Sequence, residues 1–439
     1  MDYIKSIEGR GIVPGLERIR ELCRRLGNPQ DALKFVHVAG TNGKGSVSAY
    51  IATVLRCGGY RVGRYVSPTI FQYRERIQVN DRCISKEALG RLTERVKRCC
   101  DEMMAEGLQQ PTAFEVETAL GFLYFAEKRC DLVVLEVGMG GLLDSTNLVE
   151  TTVLAVLTPV SMDHVQFLGK TLEEIAAQKA GILKRGCPAV SALQKDGAMQ
   201  VIQRRAEELG CRLSVVRQDK ITHVKYGLER QCFSYGGYDG LEIGLAGRYQ
   251  VENAALAVEA LNVLAACGFP VAEQKLRQGF ARTQWPGRFT VIAKNPYFIV
   301  DGAHNEDAAE RLAESVRFYF TNKRIIYIMG VLRDKEYDKV IALTHSLADH
   351  VITVATPDNP RALPAYELAK EVAKVHPSVT AVDSLEEAVE MSRLLASRED
   401  CIIAFGSLSF LGKLMEIVRA EPPGAPKGKA KKGRAKSKA

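Results

Sequence analysis

Residues 35–46 read Phe35-Val36-His37-Val38-Ala39-Gly40-Thr41-Asn42-Gly43-Lys44-Gly45-Ser46. A short apolar run of strand type enters a glycine-rich turn that carries a lysine, and helix-forming sequence continues from Val47 to Cys57. Glycines let consecutive backbone N–H groups converge on phosphate oxygens. The new helix adds the positive end of its dipole, and Lys44 supplies a mobile charge for the outer phosphates. The strict Walker pattern would need glycine at Val38 and Ser or Thr directly after Lys44, where this chain has Gly45. The loop Gly40, Thr41, Asn42, Gly43, Lys44, Gly45 and Ser46 is therefore read as a variant phosphate cradle for ATP.

Working outward, short β-rich runs alternate with helical patterns. Lys34–Ala39, Asp131–Val137, Thr152–Leu157 and residues 188–192 read as buried strands. Between about Ser214 and Leu245 the texture changes to short alternating segments around Tyr235-Gly236-Gly237-Tyr238-Asp239-Gly240. That pattern predicts antiparallel strands with a hairpin, and a helix over Val251–Ala266 follows. After Trp285-Pro286-Gly287-Arg288 a second series begins, with strands near 298–301, 325–329, 350–355 and 401–405 and helices between them. The expected fold class is α/β: a P-loop ATP-binding parallel-sheet domain over 1–286, a smaller doubly wound domain over 287–420, and a disordered basic tail over 421–439. A cleft between two such domains is a common place for ligands.

Acids and bases at strand ends carry the chemistry. Glu136 interrupts the otherwise apolar run Asp131–Val137, and burying an unpaired carboxylate is costly. Beside a P-loop it is well placed to hold Mg²⁺ on nucleotide phosphates; capping the glycine-rich turn that follows is the plainer reading. His164, in Ser161-Met162-Asp163-His164, lies just past a third strand of the same sheet. Lys179 sits in a helical pattern among Ala176, Ala177, Ala180 and Ile182, which predicts partial burial rather than a surface position.

Several separated motifs then occur in one order. They are Gly15-Leu16-Glu17-Arg18-Ile19, Leu26-Gly27-Asn28-Pro29, the P-loop, Ser67-Pro68, Glu75-Arg76-Ile77, Phe114-Glu115, and Glu136-Val137-Gly138-Met139-Gly140-Gly141. Asp144-Ser145-Thr146-Asn147, Asp163-His164, Lys179-Ala180-Gly181, Glu252-Asn253-Ala254, Pro286-Gly287-Arg288-Phe289, Asp301-Gly302-Ala303-His304-Asn305 and Phe405-Gly406-Ser407 follow. The set resembles the folylpolyglutamate synthase and dihydrofolate synthase branch of the Mur ligase superfamily and spans most of the chain before the tail. The resemblance implies an ATP-dependent amide ligase acting on folates. It also implies that Ser67, Glu136 and His164 bind magnesium and that Lys179 is carbamylated. By the same resemblance Asn253, Arg288 and Asp301 contact the nucleotide, while Glu115, Asp144, Ser145 and Thr146 lie near the pterin. Lys44, Glu136, His164 and Lys179 are thus the catalytic candidates. His304 is a candidate for the nucleotide or, with Arg76 and Ser407, for a clamp on the glutamate carboxylates. The chain departs from many relatives at Thr69, Ile70, Leu142 and Tyr249, on or near the folate side, so acceptor scope is open between dihydropteroate and tetrahydrofolate.

The net charge of +8 is a property of the tail: from Pro422 to Ala439 the chain carries seven Lys or Arg and no acid, which leaves the body at +1. No specific nucleic-acid partner is expected. No apolar run approaches the roughly 20 residues a membrane helix needs, and eleven cysteines without a CxxC pair fit reduced thiols. A cytoplasmic, monomeric enzyme acting on small molecules is the expectation. Two other readings are weighed against it. A cell-wall Mur ligase would need an N-terminal UDP-binding domain, for which 39 residues before the P-loop leave no room. A regulatory P-loop protein has little use for a second ligand-binding domain.

Overall fold

The computed structural model describes residues 2–7, 11 and 13–420; the tail expectation for 421–439 lies outside the described residues. The first domain is built on an eight-stranded sheet. Its strands in chain order are β1 (Phe35–Ala39), β2 (Val62–Tyr65), β3 (Ile77–Val79), β4 (Arg82–Cys83), β5 (Leu132–Glu136), β6 (Thr152–Leu157), β7 (Ala189–Ser191) and β8 (Leu213–Val215), arranged β4-β3-β2-β5-β1-β6-β7-β8. Pairing is parallel from β2 to β8, and β3 and β4 add antiparallel strands at one edge. Every residue of β1 and β5 is buried, as expected of parallel strands covered on both faces by helices.

β1 sits between β5 and β6, with Val38 beside Glu136 and Ala39 beside Leu157. The carboxyl ends of four neighbouring strands, β2, β5, β1 and β6, therefore open on one rim. This rim delivers Ser67, Glu136, the P-loop and the Ser161–His164 segment together. The helix after the P-loop starts at Lys44, three residues earlier than its apolar pattern implied, because Gly43 takes a left-handed φ of 87° as its N-cap.

The Ser214–Leu245 expectation needs one correction. Leu213–Val215 joins the parallel sheet as its far edge, and only β9 (Thr222–Lys225), β10 (Gln231–Tyr235) and β11 (Tyr238–Ile243) form the antiparallel sheet and hairpin. This small sheet buries Phe233, Leu241 and Ile243 in the same core as the Tyr249–Ala266 helix. The second domain has six strands: β12 (Thr290–Ala293), β13 (Tyr297–Val300), β14 (Ile325–Met329), β15 (His350–Thr353), β16 (Val379–Ala381) and β17 (Cys401–Phe405), ordered β12-β13-β17-β14-β15-β16. All pairings are parallel except β12 with β13. Here too the carboxyl ends of neighbours β13, β17 and β14 lead to Asp301, Ser407 and the Gly330–Lys335 loop.

The loop after Ser67-Pro68 ties the two domains. Ile70 packs with the second domain's core residues Leu408, Leu411 and Leu414, and its backbone lies against Gly412 of the Leu408–Ala420 helix. Ile70 thus helps to join the two domains. A Cβ on Gly412 would run into the Ile70 carbonyl oxygen, whereas one on Gly90, in the exposed face of the Lys86–Ala105 helix, meets nothing within 4 Å. Gly90→Ala is therefore expected to stabilise the protein by ~1 kcal/mol through helix propensity. Gly412→Ala is expected to destabilise it by about 1–3 kcal/mol despite the same propensity gain, because the joint must move. Urea unfolding of both variants checks the opposite signs.

Candidate active site at the strand ends

The phosphate cradle is shaped by contacts that leave no room for side chains. A Cβ on Gly40 would overlap the Thr158 hydroxyl, one on Gly43 would lie 2.6 Å from Asn253 Oδ1, and one on Gly45 would lie 2.5 Å from the Trp285 ring. Thr41 fixes the loop by donating to Ser161 O and accepting from Ser161 N–H, both at 3.0 Å. Ser46 accepts from Gln250 Nε2 at 3.1 Å, and Gln250 also takes a hydrogen bond from Asn253 at 3.0 Å. Asn253 thus stands beside the P-loop.

Two lysines converge on one carbonyl. Lys44 Nζ folds back to donate to Gly40 O and Thr41 O, each at 3.1 Å, and Lys179 Nζ donates to Gly40 O at 2.9 Å. Burial pushes Lys44 below its ordinary range. Burial, with Lys44 as a neighbouring cation, brings Lys179 down to about 7. Lys179 is fully buried rather than partly so, at 4% exposure. Its helix, Leu172–Ala180, starts with a capping box between Thr171 and Glu174.

Glu136, the last residue of β5, is buried with Oε2 lacking any partner, and its carboxylate faces the Ser67 backbone N–H. Burial raises it to about 7 against the pull of Lys44 and Arg288. An orphaned, buried carboxylate oxygen next to a serine fits a hard cation, so Ser67 and Glu136 suit Mg²⁺. Among the described residues no group of three or more His, Cys, Asp and Glu gathers to hold a metal. His164 adopts φ 51° at the start of the Val165–Leu168 turn, and burial brings it down to about 4, leaving a neutral imidazole.

The second domain closes directly on this rim. Asn42 donates to Asn305 Oδ1 at 3.2 Å and to Asp307 Oδ2 at 2.7 Å, and Asn305 returns a bond to Asn42 Oδ1 at 3.2 Å. Asp163 accepts from Lys335 at 2.9 Å and from Asn305 at 3.1 Å, and His304 Nε2 lies 3.8 Å away. Although burial opposes it, Lys335, His164 and His304 hold the Asp163 carboxyl well below the usual carboxylate range. Burial and Lys335 lower His304 to about 4, and its Nδ1 is 2.7 Å from Gly302 O.

Other expected contacts have structural duties. Asp301 is buried, and both of its oxygens are taken: Tyr249 OH at 2.8 Å and Phe289 N at 2.7 Å on one, Ala303 N at 2.8 Å on the other. It shapes the turn that presents Arg288, which packs on Gly302. Glu115 caps its own helix through Thr112 N at 2.7 Å and pairs with Arg18 at 3.1 Å. Asp144 accepts from Met139 N, Thr146 N and the Thr146 hydroxyl. Arg76 is paired with Glu117 at 3.2 Å beneath the Tyr73 and Phe114 rings, so it enters the site already held by a carboxylate rather than as a free fork. Among the described residues no contact joins Arg76 to His304 or to Ser407, whose hydroxyl pairs with Ser409. Lys335, Asn305, Asp307, Gln250 and Tyr249 were not foreseen as site residues. Lys335 was open to the same strand-end rule, since it follows β14.

Residues 38–261 match the Mur ligase middle domain and residues 287–408 the Mur ligase glutamate ligase domain. The chain is 36% identical to the dihydrofolate synthase/folylpolyglutamate synthase of Bacillus subtilis over 94% of this chain and 97% of that protein. It superposes on the Mycobacterium tuberculosis folylpolyglutamate synthase complexed with ADP and AMPPCP with a TM-score of 0.86, at 28% identity over 93% and 96% of the two chains. Escherichia coli FolC in complex with DHPP and ADP gives 0.84, at 30% identity over 95% and 96%. With both Mur ligase domains in order and a full-length relative above 30% identity, the chain belongs to the folylpolyglutamate synthase/dihydrofolate synthase family of the Mur ligase superfamily.

Proposed function

We propose that this chain is an ATP-dependent ligase that joins L-glutamate to a folate carboxylate through an acyl phosphate, with dihydropteroate as a second acceptor. The observation that carries the reading is the buried Glu136 oxygen without a partner, set beside Ser67 on the strand next to a P-loop. The Bacillus subtilis relative bears both activities in its name, and the related solved structures hold ADP, AMPPCP or DHPP.

A carboxylate is a poor electrophile, so activation comes first. The acceptor carboxylate oxygen attacks the γ-phosphorus of ATP, the bond to ADP breaks, and an acyl phosphate forms. The glutamate amine then attacks the acyl carbon, phosphate leaves, and the amine gives up a proton. Lys44 moves from the Gly40 and Thr41 carbonyls to the phosphoryl group and offsets its charge. Ser67, Glu136 and neutral His164 would hold Mg²⁺, which when bound would neutralise phosphate charge. Asn253 and Arg288 flank the nucleotide, with Asp301 positioning Arg288. Asp144, Ser145 and Thr146 form the folate side, with Glu115 holding the adjacent helix. His304 and Ser407 face the glutamate from the second domain, whose division from the first we place at residue 286. A neutral amine at Lys179 is the form that reacts with carbon dioxide. Carbamylation would replace a buried cation with an anion able to face the metal. The eleven cysteines are all free thiols, which supports a reducing, cytoplasmic setting. We take the working unit to be a monomer.

ADP release should require glutamate together with tetrahydrofolate or dihydropteroate; release that ignores both acceptors would overturn the reading in favour of a regulatory P-loop protein. Lys44→Ala should lower kcat by about 10²–10³-fold with an unchanged melting temperature, checked by the same assay and a thermal scan.

Lys179 also predicts a pH effect. With the native pKa near 7 and the ordinary value 10.5, the unfolded chain binds more protons between these limits. This group therefore makes stability rise with pH across that window and fall as pH drops toward 7. In carbon dioxide-free buffer, Lys179→Met should show a smaller gain in unfolding free energy from pH 7 to pH 9 than the wild type. Equal slopes in urea titrations would mean that Lys179 titrates normally.

A further inference from the structure

His37 lies in the middle of β1, fully buried, three residues before the P-loop. Its Nε2 is 2.9 Å from Thr146 Oγ1, and its Nδ1 has no partner. Thr146 in turn donates its hydroxyl proton to Asp144 Oδ1 at 2.5 Å, so its oxygen is free only to accept. The direction of the chain is thereby fixed: His37 Nε2–H donates to Thr146, and Thr146 O–H donates to Asp144. Burial brings His37 down to about 3, which keeps the ring neutral with a single N–H. Asp144 spends its remaining capacity on backbone, taking Thr146 N at 3.0 Å and Met139 N at 2.9 Å.

The loop held in this way packs on the Lys179 helix. Leu142 N–H donates to Gln178 O at 2.7 Å, a Cβ on Gly141 would lie 3.0 Å from Lys179 O, and Asn147 bonds Leu142 O and Gly181 O. We propose that His37 is a positioning residue for the acceptor: through Thr146 and Asp144 it sets the Gly138–Asp144 loop on the folate side of the site. This rests on the folate reading above. A buried imidazole in a strand that otherwise needs an apolar side chain costs solvation, and an unpartnered Nδ1 adds to that cost.

The test uses the full chain with His37→Leu, which removes the donor, and His37→Gln, which carries an amide N–H to about the position of Nε2. Amide hydrogen exchange on the substrate-free protein reads the relay without any assumption about substrate. In the Leu variant the amides of Met139 and Thr146 should exchange about tenfold faster than in the wild type, with those of the P-loop unchanged, and Gln should restore protection. In the assay, Leu should raise the KM for tetrahydrofolate about tenfold, in line with losses on removing a partner one step behind a ligand, and move the KM for ATP less than twofold. Unchanged exchange in the Leu variant overturns the relay. General loss of protection without rescue by Gln also overturns it, and makes His37 a packing residue. Altered exchange in the Leu variant, in a protein whose wild type does not turn over folates, would sink the function instead and leave the relay standing.

Discussion

A single carbonyl oxygen organises this active site. Gly40 O receives the side-chain nitrogens of both Lys44 and Lys179, the latter buried. Two like charges that share one acceptor repel each other. The pocket is thus electrostatically incomplete and favours a polyanion. Lys179 lessens the repulsion by lowering its proton affinity, while burial raises that of Glu136 against the pull of Lys44. The sheet makes the arrangement unavoidable, because β2, β5, β1 and β6 all end on that rim.

The second domain addresses the rim through Asp163, which gathers Lys335, Asn305 and His304 from across the cleft. Asp301 works behind it: with both oxygens bonded, it shapes the turn that carries Arg288. Tyr249 hydrogen-bonds Asp301, so the acid is held through a phenol.

Much of this was legible in the sequence because it follows from local rules. A short apolar run bounded by glycine gave β1 and β5 within a residue, and polar residues just past such runs marked the P-loop, Glu136 and His164. Strands with weak local signals escaped. β2 contains Gly63 and Arg64, while β4, β8 and β16 have three residues or fewer and exist only because a neighbour pairs with them. Side-chain partnerships were beyond reach for the same reason: Arg76 looks free in its motif, and only the fold brings Glu117 against it. Asn42 reads as a loop residue until Asn305, more than 260 positions away, is seen opposite.

That amide pair has a thermodynamic consequence. Because a residue of the nucleotide loop is itself part of the seam between the domains, the free energy of closing the seam and the free energy of filling the loop share a term. Shared terms act in both directions: whatever strengthens nucleotide binding through Asn42 also favours the closed arrangement by the same factor, and whatever favours closure tightens the hold on the nucleotide. Coupling between the nucleotide loop and domain closure is thus a property of the fold itself, without any dedicated regulatory element.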